Sequence, residues 1–244
     1  MLTIKFDGVD ELRRQLSGFS DRRFSAAIAT ALTRSAKHAQ GELKQEMVRS
    51  LDRPTPYTLN ALRIWPATAT ELSARVAFRN EGESGNANNY LMPNVAGGAR
   101  VTNRVEAALR AIGALPSGWF ATPGQGATLD AYGNMARSQT MQILAQLRSS
   151  KMAGPQPKGA SLQAARKAGG RFFVMPVGGK TQPGVYQQEM FGKSITPVLV
   201  FVQQPQYSKR YPFFDLAKRI AEDRLPIEVE RSIAEHVNRL AAKR

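Results

Sequence analysis

The clearest hydrophobic pattern in the chain runs from about Asp21 to Leu51. Phe24, Ile28, Leu32, Ala36, Ala39, Leu43 and Met47 recur at steps of three or four, which draws one apolar stripe along a helix. Ala26, Ala27, Ala29, Ala31 and Ala36 make its first half small-sided, and Arg22, Arg34, Lys37, Glu42, Lys44 and Glu46 fill the opposite face. Thirty residues of helix span about 45 Å. A helix of that length is either the central core helix of its domain or a bridge between subunits. Ser20 or Asp21 suits its cap, and Pro54 and Pro56 end it.

Around that helix the pattern changes period. Leu2, Ile4 and Phe6 alternate with polar residues and predict a short strand, followed by a short helix over Val9–Phe19. Thr55-Pro56 starts a helical turn through Leu62. Strands are predicted at 63–67 and 73–78, then a polar Gly/Asn-rich break at Asn80–Asn89. Asn94–Gly98 reads as a turn. Asn103 caps a helix to Ile112 or Gly113, Trp119–Pro123 is an extended apolar piece, and a further helix covers about Ala136–Arg148. Ser149–Gly170 is predicted to be a mobile basic loop. Strands follow at 171–177, 184–189 and 195–203, and the unbroken apolar run Pro197–Val202 suits the interior of a sheet. Two helices, Pro212–Arg224 and Pro226–Ala242, close the pattern. No repeat is evident.

Length and charge narrow the partners. A chain of 244 residues buries a sizeable core without staples, and with no cysteine it has neither disulfides nor thiolate chemistry. No run of eighteen apolar residues spans a membrane, and the first residues lack the apolar core of a secretory signal. The expected setting is the cytoplasm or an assembly built there. The net charge is +15, which favours nucleic acid, an anionic surface or an acidic neighbour. It is concentrated: between Ala131 and Gln188 stand eight cations and no acid.

Catalytic constellations are thin. The two histidines, His38 and His236, sit in predicted helices beside charged residues and read as solvated or partly packed. There is no HExxH, GxxxxGK[ST] or GxSxG pattern. Glu81 and Glu83 lie in a polar loop, Glu222 and Asp223 sit beside arginines, and Asp130 reads as a helix-start cap, so no carboxylate set for metal-assisted hydrolysis is expected. Hence no catalytic, metal or cofactor residue is predicted. Arg166, Lys167, Arg171 and Lys180 near Phe172, Phe173 and Tyr186 mix cations with aromatics, as single-strand binders do. The aromatics read better as strand core, whereas the cations are either solvated or facing an anion.

The segment Phe6-Asp7-Gly8-Val9-Asp10-Glu11-Leu12 before the Ala-rich helix, the stretches Ala27–Leu43, Thr55–Leu59 and Ala61–Ile64, the run Pro197–Val202, Tyr211–Phe214 and the terminal amphipathic helices together resemble phage tail-completion and neck proteins. The nearest likeness is to the minor tail protein Z family of lambda-like phages. Tyr90–Pro93, Gly97–Arg100 and Leu129–Met135 are similar to segments common in tailed-phage virion proteins. The resemblance implies a non-enzymatic subunit of a ring at the head-proximal end of the tail, with six copies expected and twelve the other option. Its neighbours would be the tail terminator or tube and the head connector, with genomic DNA in the channel. Relative to that family, 85–170 reads as an insertion.

The expected fold is therefore α+β, a small antiparallel sheet on the long helix with C-terminal helices. Residues 1–80 and 171–244 are expected to form the core domain and 81–170 an inserted mixed lobe. Lys151, Lys158, Arg166, Lys167 and Lys180 are the candidates for contact with DNA or an acidic partner. Ala27 and Ala31 are the candidates for subunit packing. The competing reading is a basic nucleic-acid-binding protein of phage origin that acts outside a ring.

Overall fold

A computed structural model describes residues 2–5, 21–79, 87–152, 171–179, 181–188 and 194–242. The chain forms two compact units, Met1–Ala96 with Lys209–Arg244, and Gly97–Ser208. The fold is α+β with small antiparallel sheets, as the patterning predicts.

In the first unit, β1 (Leu2–Lys5), β2 (Leu62–Trp65) and β3 (Ser73–Phe78) make an antiparallel sheet in the order β1-β3-β2. The long helix α1 (Asp21–Ser50) packs on it, and every residue of the predicted stripe is buried. Leu62, Ala74, Val76 and Phe78 supply the inner face of the sheet. The turn α2 (Pro56–Leu59) follows α1, with Thr55 Oγ1 accepting from the Thr58 amide at 3.1 Å as its cap. Of the two roles open to α1, the structure shows the core helix. Ala27, Ala31 and Ser35 are as buried as the stripe, because the terminal helix α6 (Phe213–Ala241) lies along α1.

Two helices differ from expectation. The pair predicted at 212–224 and 226–242 is one continuous helix through Pro226. Leu225, Glu228 and Val229 are buried around that exposed proline. Packing on both sides of the break thus outweighs the lost amide, and water can reach the freed carbonyl. The second is α3 (Ala87–Ala96), where a break and a turn were expected. Leu91 and Val95, one helical turn apart, anchor it in the core, and Gly97 and Gly98 end it at φ 79° and 90°.

The second unit carries a four-stranded antiparallel sheet in the order β5-β8-β7-β6, from β5 (Trp119–Pro123), β6 (Arg171–Met175), β7 (Gly184–Gln188) and β8 (Ile195–Gln203). The apolar β8 is interior, as its composition suggested. A register shift opposite Val185/Tyr186 accommodates Pro197, which has no amide to give the ladder. Helices α4 (Arg104–Ala111) and α5 (Arg137–Met152) carry Leu109, Ile143, Leu144 and Leu147 into its core. A two-stranded ladder, β4 (Gly98–Ala99) with β9 (Gln206–Tyr207), joins the ends of this unit.

These pairings correct the expected domain boundary. Residues 171–208 do not join the terminal segments. β8 is bonded to β5 along Trp119–Pro123, so the inserted unit spans 97–208, not 81–170.

Candidate functional site

The most developed polar centre lies in the second unit around Glu106, whose side chain is fully buried. Asn103 caps α4 by accepting from the Glu106 amide at 2.8 Å, and Glu106 Oε2 accepts from the Asn103 amide at 2.8 Å, a reciprocal capping box. The same carboxylate accepts both guanidinium arms of Arg100 and the Ala121 amide at 2.9 Å. Burial alone would push this carboxyl up. The bonds from Arg100, Asn103 and Ala121 and the Arg100 charge outweigh that and hold it below the usual range.

These groups close the free edge of β5. The Ala121 amide reaches Glu106, the Ala121 carbonyl accepts from Arg100 at 3.3 Å, and the Trp119 carbonyl accepts from Arg110 at 2.6 Å. Three side chains thus take the place of a neighbouring strand, and both guanidiniums stack on Phe120 at 4.9 and 5.5 Å from its centroid. The chemistry here is saturated: every acceptor site of the carboxylate is used by the fold.

A second polar centre interrupts the α1–α6 contact. Arg34 grips Glu235 with two bonds of 3.0 and 2.9 Å, and His38 Nε2 lies 3.3 Å from the buried Glu228. Arg34 is held above its ordinary value by its bond to Glu235, and Glu235 below by the same bond. The hydroxyls of Ser35 and Ser232 and Glu228 Oε2 are buried without a hydrogen-bond partner. Both histidines match the reading of partly packed surface groups: His38 is half exposed, and His236 Nδ1 is 3.2 Å from the Ser232 carbonyl.

A third arrangement lies on the outer face of the first unit's sheet. The guanidinium of Arg75, directly across from Trp65, lies 4.4 Å from the indole centroid, and that of Arg63 lies 5.2 Å from it. Sequence reasoning missed this trio. Arg63 and Trp65 share a face by strand alternation, but Arg75 joins them only through the hairpin register.

The predicted site residues fall out unevenly. Lys158, Arg166, Lys167 and Lys180 lie outside the described residues. Lys151 stands in the last turn of α5, so the helix extends into the first residues of the expected basic loop. Ala27 and Ala31 have no exposed surface, which corrects their expected role at a subunit interface. The close approach that small side chains permit is used inside the chain, Ala31 packing in the core that includes Leu225 and Val229 of α6. Asp130 does not cap a helix. Its Oδ1 accepts the amides of Tyr132 and Asn134 at 2.9 Å each, pinning a tight loop through Gly133. Phe172 is core, and Phe173 stacks on Tyr186 at 6.1 Å.

No group of three or more potential ligand residues that could hold a metal occurs among the described residues, and none of their helices is long and apolar enough to cross a membrane. Comparisons with protein families, with curated proteins and with solved structures return no match.

Proposed function

We propose that the chain is a structural subunit of a tailed-phage virion, a tail-completion or neck protein that acts by assembly as a ring between tail and head connector. The support is the likeness of its segments to the minor tail protein Z family. The observation that carries the reading is the use of the polar side chains. Glu106 and Asp130 are consumed in holding strand edges and loops, while the surplus is cationic and suits a polyanion or an acidic neighbour. No cofactor, metal or catalytic group enters this reading, and the protein would reside in the virion after assembly in the host cytoplasm.

Deleting the coding sequence from the phage or prophage that carries it tests the proposal. The expected result is separate heads and tails, restored to joined particles by the intact chain. Joined, infectious particles without the protein would overturn it. Mass measurement of the assembled species sets the copy number, six copies of a 26.8 kDa chain weighing about 160 kDa.

A further inference from the structure

We infer that the outer face of the β1-β3-β2 sheet is a contact surface for the phosphate backbone of duplex DNA, built around Arg63, Trp65 and Arg79. The inference concerns the chain as a polyanion binder and does not depend on the ring, which the deletion experiment tests separately.

The geometry comes from the strand register. Arg63 pairs with Ala77 and Trp65 with Arg75, and the Arg79 amide continues the ladder by donating to the Ala61 carbonyl. Alternation puts Arg63, Trp65, Arg75, Ala77 and Arg79 on one face, where the small Ala77 is buried, opposite the buried Leu62, Ala74, Val76 and Phe78. Arg63 and Arg79 are diagonal neighbours, about 7–8 Å apart at the backbone. Both are exposed, and neither forms an ion pair among the described residues. Thr3, opposite Arg75 on the same face, is exposed and adds a hydroxyl donor.

The chemistry of the Arg63–Trp65–Arg75 stack selects the ligand. A guanidinium laid on an indole loses side-chain freedom before any ligand arrives, so less is lost when its fork meets a phosphate. The indole, engaged by two cations, is not an open platform for an unpaired base. That separates this face from single-strand sites, where bare aromatics carry the binding. A face with the indole-held Arg63, the exposed Arg79 and a hydroxyl contacts phosphate and carries no sequence information. The expected binding is to duplex DNA, independent of sequence and steeply dependent on salt.

The experiment uses the full chain and a duplex of about 20 base pairs at about 0.15 M salt, with binding followed by anisotropy. The double variant R63E/R79E is compared with R219E/R224E, which makes the same charge change on exposed positions of α6, outside the acid-free stretch 131–188. Two phosphate contacts, at a log–log salt slope of ~0.9 each, correspond to about thirtyfold in affinity at this salt. R63E/R79E is expected to lose that much and to flatten the salt slope by about two, while R219E/R224E loses less than about threefold. In a W119F background Trp65 is the only indole, and its emission is expected to change on titration with the duplex. The inference is overturned if the wild-type chain fails to bind the duplex. It is overturned equally if both double variants weaken alike, if Trp65 emission stays constant while binding persists, or if poly-glutamate displaces the chain as well as competing duplex does. That last result would assign the face to an acidic protein.

Discussion

Replacing Glu106 by Gln keeps the shape of the side chain and removes its charge. In the wild-type protein four donors converge on the carboxylate: two from Arg100, one from Asn103 and one from Ala121. The amide of Gln turns a donor toward some of those donors and leaves the Arg100 guanidinium, only 17% exposed, without its counter-charge. Breaking a buried ion pair by removing one partner costs about 3–5 kcal/mol. Gln still accepts from one or two of the four donors, so the lower end, ~3 kcal/mol, is expected. Single domains have only about 5–15 kcal/mol of stability, so the second unit loses a large share. The assay is urea unfolding in a W65F background, which leaves Trp119, in β5 itself, as the fluorescent reporter. The midpoint should fall with an unchanged slope, and the thermal transition should drop by roughly 10 °C. E235Q, which removes the part-exposed partner of Arg34, should leave the first unit's midpoint, read from Trp65 in a W119F background, nearly unchanged. A loss below ~1 kcal/mol for E106Q would refute the reasoning, because the carboxylate would then not be holding the strand edge.

Glu106 also predicts a pH dependence. Its folded carboxyl titrates below the unfolded value of about 4.3, so its contribution is fully present above that value and is lost as pH falls through the folded one. Stability of the second unit should fall on acidification over this window, and E106Q should flatten that limb in urea titrations at graded pH. Enlarging Ala31 to Leu over-packs the α1–α6 core and should cost about 1–3 kcal/mol, read from Trp65 in a W119F background. A β-carbon at Gly184 would run into the Leu199 carbonyl of the adjoining strand, so Gly184→Ala should cost about 2 kcal/mol or more by the Trp119 signal. Tyr211→Phe removes a 3.1 Å bond from the buried hydroxyl to the Leu43 carbonyl and should cost about 1 kcal/mol, measured in the same way as Ala31→Leu.

Local chemistry made much of this fold legible. The stripe from Phe24 to Met47, the Asn103 cap and the alternation in 73–78 are decided by residues within a few positions of one another, and each element forms where the pattern places it. What the pattern could not reveal was partnership. Pro197–Val202 reads as an interior strand, but nothing in its composition names Trp119–Pro123 as the neighbour, and that pairing moves 171–208 into the inserted unit. Pro226 misleads for a related reason. A local helix breaker is overridden by burial that depends on α1, some 190 positions away at the Glu228–His38 contact. The Glu106 centre was invisible because a carboxylate between Arg100 and Arg110 reads as an ordinary surface charge until β5 is brought beside it. Ala27 and Ala31 were legible as sites of close approach, but whether the approaching helix belongs to the same chain is not written locally.

The discontinuity of the first unit has a consequence for synthesis. The Arg210 and Tyr211 amides both bond to the Asn94 carbonyl, so the two ends of the first unit meet where the insertion leaves it. On the ribosome the second unit is contiguous and complete once Ser208 has emerged, whereas α1 must wait for α6, made last of all the described elements. Until then the small-sided flank of α1 that carries Ala27, Ala31 and Ser35 stays uncovered. The nascent chain therefore passes through a stage with a finished inserted domain and an unfinished outer one. During that stage a chaperone or a sister chain can compete with α6 for the same helix face, and the rate of translation through 97–208 sets how long the competition lasts.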